Sequence, residues 1–129
     1  MRSRAGHIRS LHPTAIGWHP AERETWGGAQ VDAWRTIQRS HAIAKGLYVA
    51  SPNRIGHEDE AGTSGITFFG NSFIADPFGR YVAEAGETEA ILVARCDPAL
   101  IESVRRNWPF LRDRRVDAYG PILSRYLGS

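Results

Sequence analysis

The spacing of apolar and polar positions changes several times along the chain, and each change predicts an element. A short apolar run over 14–18, closed by Gly17 and Pro20, predicts the end of a strand. The polar stretch over 21–28 ends on Gly27-Gly28 and predicts a loop. From about Asp32 to Lys45 the chain predicts a helix. Val31, Trp34, Ile37, Gln38, His41 and Ala44 recur there at helical spacing, so that one face is mostly apolar. Lys45 and Gly46 suit the end of that helix: a cation at the negative pole, then a residue free to take positive φ. Residues 47–50 predict a short strand leading into Ser51-Pro52-Asn53, and 57–64 a charged loop. Residues 66–75 predict a strand and 80–85 another. Between them Asp76-Pro77-Phe78-Gly79 predicts a tight turn, because proline presets φ and glycine accepts the left-handed region. Gly86-Glu87 turns the chain again into a third strand over 90–96, so the three read as an antiparallel meander. Asp97 caps a helix opened by Pro98 and running to about Arg106. This order of elements is α/β or α+β, without internal repeat or low-complexity tract.

A length of 129 residues makes one domain or part of one, and an apolar share of 42% suffices for a packed core. No apolar run approaches the ~18–20 residues of a membrane span. Arg2, Arg4 and Arg9 come without an acid before Leu11, yet no continuous apolar stretch follows, so no secretory signal is predicted. Cys96 is the single cysteine, which excludes an intrachain disulfide and fits a reducing compartment, the cytoplasm. The formal charge of +2 is mild and its signs are mixed. Lys45 is the one lysine among sixteen basic residues, a skew that coding bias explains more simply than a need for planar arginine pairing.

Three segments form a jointly specific set in this order. They are Pro13-Thr14-Ala15-Ile16-Gly17, then Asn53-Arg54-Ile55-Gly56, then Phe69-Gly70-Asn71-Ser72-Phe73-Ile74 within the longer run from Ile66 to Gly79. Together they resemble the C-terminal part of the nitrilase, or carbon–nitrogen hydrolase, superfamily, and most closely its N-carbamoylputrescine amidases, from about His12 to Gly128. The resemblance implies the C-terminal half of an α-β-β-α sandwich. Residues 1–11 are then an unmatched basic segment, and 12–129 a partial carbon–nitrogen hydrolase domain. It also implies a reaction: a glutamate base deprotonates a cysteine, which attacks the carbamoyl carbon of N-carbamoylputrescine. A lysine and backbone donors stabilise the oxyanion. Ammonia leaves, water cleaves the acyl-enzyme, and putrescine and carbon dioxide follow, a step of polyamine biosynthesis that needs no cofactor or metal. In that family the cysteine, glutamate and lysine lie upstream of the Pro-Thr-Ala-Ile-Gly strand, and the residues from Met1 to His12 contain none of the three. The expectation is a fragment that is inactive alone, as a truncated gene, a frameshift or a miscalled start would give.

No catalytic residue is therefore assigned. By the resemblance, Thr14, Ala15 and Ile16 line the pocket beside the nucleophile, against the alternative of an ordinary buried strand end. The far ammonium of a carbamoyl-diamine needs an acid. Glu22 is the candidate, with Glu24 beside it, against the alternative of a solvated loop. Related plant-type sequences carry an acid nearer Gly17, where this chain has Trp18-His19. Cys96, at a strand end between Arg95 and Asp97, reads as a structural thiol. Lys45 reads as a helix cap, and Glu58, Asp59 and Glu60 as a solvated loop. His7, His12, His19, His41 and His57 show no zinc-type spacing, and His41 reads as a satisfied histidine on the apolar helix face. Asn53 to Gly56 and Phe69 to Ser72 read as support for the pocket wall, Gly70 marking a bulge or close approach.

The arginine- and aromatic-rich tail over 108–126, from Trp108 to Tyr126, is either a nucleic-acid patch or a subunit interface. Glu102, Asp113 and Asp117 interleave with its arginines, and the resembled family keeps such a tail across its interface, which favours a homo-oligomer. The expected ligand is a carbamoyl-amine substrate of the full-length relative, with neither nucleic acid nor membrane as partner. Two alternatives stand beside the hydrolase fragment: an association module that pairs with a full-length relative, and a small basic nucleic-acid-binding domain with salt-dependent affinity.

Overall fold

The computed structural model describes residues 9–126. Most of the unmatched basic segment, 1–8, lies outside the described residues, as do 127–129. The chain forms β1 (Arg9–Leu11), β2 (Gly17–Trp18), α1 (Pro20–Lys45), β3 (Tyr48–Ser51), β4 (Ile55–Glu58), β5 (Ile66–Phe69), β6 (Phe73–Ala75), β7 (Tyr81–Glu84) and α2 (Pro98–Asn107). Two short 3-10 turns, Val116–Ala118 and Gly120–Leu123, follow in the tail. The strands make two sheets, in the orders β1-β3-β6-β7 and β2-β5-β4. β1 runs parallel to β3, and the other pairings between strands are antiparallel. The expected mixture of helix with antiparallel strands is present.

Helix α1 begins earlier than its apolar spacing predicts. His19 caps it, its Nδ1 accepting from the Ala21 N–H at 3.3 Å, and Pro20 occupies the first turn, where its missing donor costs nothing. The stretch over 21–28 is therefore helical and not a loop. Gly27 does not break the helix; it makes room for the Trp18 indole, which would lie 3.1 Å from a Cβ there. The Trp18 Nε1–H donates to the Gly27 carbonyl at 3.1 Å. The packed face is also rotated from the expected one. Ile37 is exposed, while Arg35 and Arg39 lay their stems inward and their guanidinium groups over the Tyr81 ring, at 4.1 and 4.4 Å. Long cationic side chains can cover apolar surface in this way with their aliphatic stems. The predicted C-terminus holds: Gly46 sits at φ 56° and its N–H closes on Ala42 and Ile43.

The run over 66–75 is two strands. Gly70 and Asn71 both take left-handed φ, 59° and 57°, and break it between β5 and β6. The two pieces then join different sheets. A Cβ at Gly70 would meet the Gly86 carbonyl oxygen at 2.6 Å, the close approach its place in a strand suggests. β4 takes Ile55, Gly56, His57 and Glu58 into pairing with β5, so the charged loop starts later than 57. The turn at Asp76 forms as predicted, with Gly79 at φ 72°. The buried Asp76 carboxylate accepts from the N–H groups of Phe78 and Arg80 at 2.9 and 3.0 Å. Among the described residues, 90–96 have no strand partner, so the expected third strand of the meander is not seen there. Asp97 caps α2 as expected, accepting from Ala99 N–H at 2.9 Å.

The core joins both sheets under α1. Trp34 packs edge-on against Phe69 of β5 and Phe73 of β6, at 5.5 and 5.8 Å between centroids. Trp18, Ala42, Leu47, Val49 and Ala75 complete the cluster. Aromatic pairs of this geometry add about 1 kcal/mol each beyond area burial.

Candidate functional site

The three motifs converge on one side chain. The Asn53 amide accepts from the Thr14 hydroxyl and the Ile16 N–H through Oδ1, both at 2.9 Å. Through Nδ2 it donates to the carbonyls of Ile16 and Gly70, at 3.0 and 2.9 Å. Its own N–H donates to Ser72 Oγ at 2.8 Å, and that hydroxyl donates back to the Asn53 carbonyl at 3.2 Å. Backbone bonds from Thr14 N–H to Pro52 O (2.9 Å) and from Arg54 N–H to Thr14 O (3.2 Å) close the same junction. An amide suits this place because it is donor and acceptor at once; a carboxylate would turn like charge toward two carbonyls.

Thr14 and Ile16 are thus brought together, whereas Ala15 between them is exposed and makes no hydrogen bond among those described. Glu22 shares no described hydrogen bond or ion pair with them. It is exposed on the first turn of α1, where its carboxylate accepts from Gln30 Nε2 at 3.2 Å.

A charged cleft opens beside this junction, with a volume of about 410 Å³. Trp18, Arg23, Asp32, Arg35 and Glu87 line it, and Asn71 connects it to the Gly70–Ser72 bend. Arg23 stacks over Trp18 at 4.6 Å and reaches Glu87 at 3.5 Å, a half-exposed pair of small energetic weight. Arg35 pairs with Glu84, and its Nε is buried without a hydrogen-bond partner. Two guanidinium groups against Asp32 and Glu87 leave the cleft near neutral, suited to a dipolar ligand rather than a simple anion. None of these residues was a sequence candidate except as helix or loop. Arg23, Gly27, Val31 and Arg35 follow helical spacing, a signal that shows only once the helix starts at Pro20.

The described hydrogen bonds give Cys96 no base, while Ser10 Oγ meets His12 Nε2 at 2.8 Å and His12 Nδ1 meets Gln38 Oε1 at 2.5 Å. Cys96 is half-buried beside the α2 cap, where the neighbouring Asp97 N–H donates to the Tyr48 hydroxyl at 3.0 Å. Lys45 lies in the last turn of α1, and its carbonyl accepts from Arg105 Nε at 3.2 Å. His57 meets Thr67 Oγ1 at 3.0 Å and Asp59 at 3.3 Å on an exposed surface. His41 meets His12 edge-on at 5.5 Å, and its imidazole is held below the usual histidine range, first by burial and then by Lys45 and His12. Among the described residues, no three His, Cys, Asp or Glu side chains gather as metal ligands, and no helix is long and apolar enough to cross a membrane. In the tail and the helix before it, Arg106 pairs with Glu102, Arg112 with Asp113 and Arg115 with Asp117, so much of its positive charge is neutralised locally.

The carbon–nitrogen hydrolase family profile matches residues 18–106. The chain is 44% identical over 118 residues to the N-carbamoylputrescine amidase of Arabidopsis thaliana, covering 88% of this chain and 38% of that protein. It is 35% identical to the citrullinase of Francisella tularensis, covering 90% of this chain and 40% of that protein. The crystal structure of a carbon–nitrogen hydrolase from Helicobacter pylori superposes with a TM-score of 0.89 at 44% identity, over 95% of this chain and 43% of that one. The chain thus spans about two fifths of the length of these relatives.

Proposed function

The chain belongs to the carbon–nitrogen hydrolase family, and on that premise we propose that it is the C-terminal portion of a hydrolase of the N-carbamoylputrescine amidase type, inactive as an isolated polypeptide. The observation that carries this reading is the Asn53 junction, which draws the three motif segments into one wall. Thr14, Ala15 and Ile16 are the part of that wall that faces substrate, and Glu22 is the acid assigned to the ammonium end. The wall holds shape and hydrogen-bonding groups. The thiolate, its glutamate base and the oxyanion lysine belong to the portion of the relatives that this chain does not span. Attack of that thiolate on the carbamoyl carbon expels ammonia, and water cleaves the thioester to a carbamate that loses carbon dioxide. The tail over 108–126 serves subunit association in the complete enzyme, which works in the cytoplasm.

The test is ammonia release from N-carbamoylputrescine by the purified chain beside its Cys96→Ala variant. Neither is expected to release ammonia. Mixing the chain with a separately produced N-terminal portion of the Arabidopsis relative should restore release, and Glu22→Gln should then raise KM with kcat little changed. Release by the chain alone that disappears in Cys96→Ala would make Cys96 the nucleophile and overturn the reading.

A further inference from the structure

None of Thr14, Ala15, Ile16 and Glu22 lines the charged cleft beside the Asn53 junction, so the cleft stands apart from the proposed substrate wall. Its volume of about 410 Å³ is that of a small-molecule site. Gly27 and Gly28 supply part of its wall, and at Gly28 no atom stands within 4 Å of where a Cβ would be. Asp32 and Arg35 lie three residues apart on α1, a spacing at which an acid and a guanidinium ordinarily pair. Here they do not. Arg35 is drawn away by Glu84 and lies over the rings of Tyr81 and Phe73, at 4.1 and 5.6 Å. Its Nη2 has that acceptor, its Nε is buried without one, and its Nη1 has none among the described residues. The Asp32 carboxylate is exposed on the same wall and has no hydrogen-bond or ion-pair partner among the described residues.

A fixed cation with a donor to spare and an unpaired acid stand side by side, and that pair is complementary to a ligand carrying both charges. A simple anion at Arg35 would be repelled by Asp32, and a simple cation at Asp32 by Arg35. Side chains one helical turn apart have Cβ atoms about 5–6 Å from each other, which suits an ammonium and a carboxylate borne on one carbon. Both contacts would be charge-assisted hydrogen bonds, and the guanidinium is already held by Glu84 and two rings, so little ordering is left for binding to cost. Asn71 donates through Nδ2 to the Phe69 carbonyl at 2.6 Å and offers its Oδ1 to the cleft as a further acceptor. At the other end Arg23 is already engaged, stacked on Trp18 and paired with Glu87 at 3.5 Å. We propose that this cleft binds a free α-amino acid, its carboxylate on Arg35 Nη1 and its ammonium on Asp32.

The experiment is nitrogen–proton correlation NMR on the full chain, titrated with L-alanine, with sodium acetate and with methylammonium chloride. L-Alanine should shift the Arg35 Nε–H and the backbone amides of Gly28 and Asp32, and the shifts should saturate with a Kd of about 1 mM. Acetate and methylammonium each carry one of the two charges and should bind roughly tenfold more weakly or worse. Asp32→Asn takes no bond from the fold, and Arg35→Lys keeps the charge but loses the planar donors. Each should weaken L-alanine binding roughly tenfold or more, with circular dichroism to show that the fold is kept. The proposal is overturned by L-alanine giving no saturable shift at these residues, or by acetate or methylammonium matching it. Asp32→Asn binding L-alanine as the parent does would overturn it equally. Ammonia release plays no part in this readout, so the outcome is independent of the hydrolase reading.

Discussion

Asn53 does with one amide what would otherwise need several ordered waters: it holds the ends of three segments at fixed distance. Its two donor and two acceptor contacts link Thr14, Ile16 and Gly70, and each is worth about 1 kcal/mol net. Because the site is half-exposed, Asn53→Ala should destabilise the chain by about 2 kcal/mol, read from urea unfolding, rather than by the full sum. His41 gives a second residue-scale prediction. Its folded-state pKa lies below the ordinary histidine value, chiefly through burial. As pH falls below about 6.5 the unfolded chain takes up that proton first, so stability is present above this value and declines beneath it. His41→Asn removes the contribution, and the loss of stability between about pH 7 and about pH 5 should shrink in urea titrations at the two values.

At the scale of elements, the two adjacent glycines of α1 are opposites. Gly27 is buried against Trp18, whose ring atoms would lie 3.1 and 3.3 Å from an added Cβ; Gly28 is exposed, with nothing within 4 Å. Gly28→Ala should raise stability by about 0.5–1 kcal/mol through helix propensity. Gly27→Ala should lose that gain to the displaced indole and end at or below the parent, and thermal melts of the pair distinguish them. This contrast also marks where sequence reading reached its limit. The cap of α2, the Gly46 terminus and the Asp76 turn were legible because each depends on local backbone chemistry. The start of α1 was not, because Gly27-Gly28 carries the local signature of a break and is held helical by a tryptophan nine residues earlier in the chain. The division of 66–75 into β5 and β6 was signalled only by Gly70. The junction at Asn53 was legible as support for a wall, but the charged cleft beside it was hidden behind the missed helical turn.

At the scale of the whole molecule, the core and the tail are separable. Residues 112–126 are exposed throughout, and their ion pairs are among near neighbours in sequence. Removing the chain from Val116 onward should therefore move Tm by less than about 2 °C in dilute calorimetry, since truncation tolerance follows burial. A larger loss would mean that the tail contributes to the core. The core itself depends on a short span. Trp34 rests against Phe69 on one side of the left-handed bend and Phe73 on the other, and those two rings belong to different sheets. Gly70, Asn71 and Ser72 are thus a ruler of fixed length. A residue inserted or deleted there draws one phenylalanine off the indole and turns the next strand inside out, so this bend should admit no change of length, and at Gly70 no side chain either.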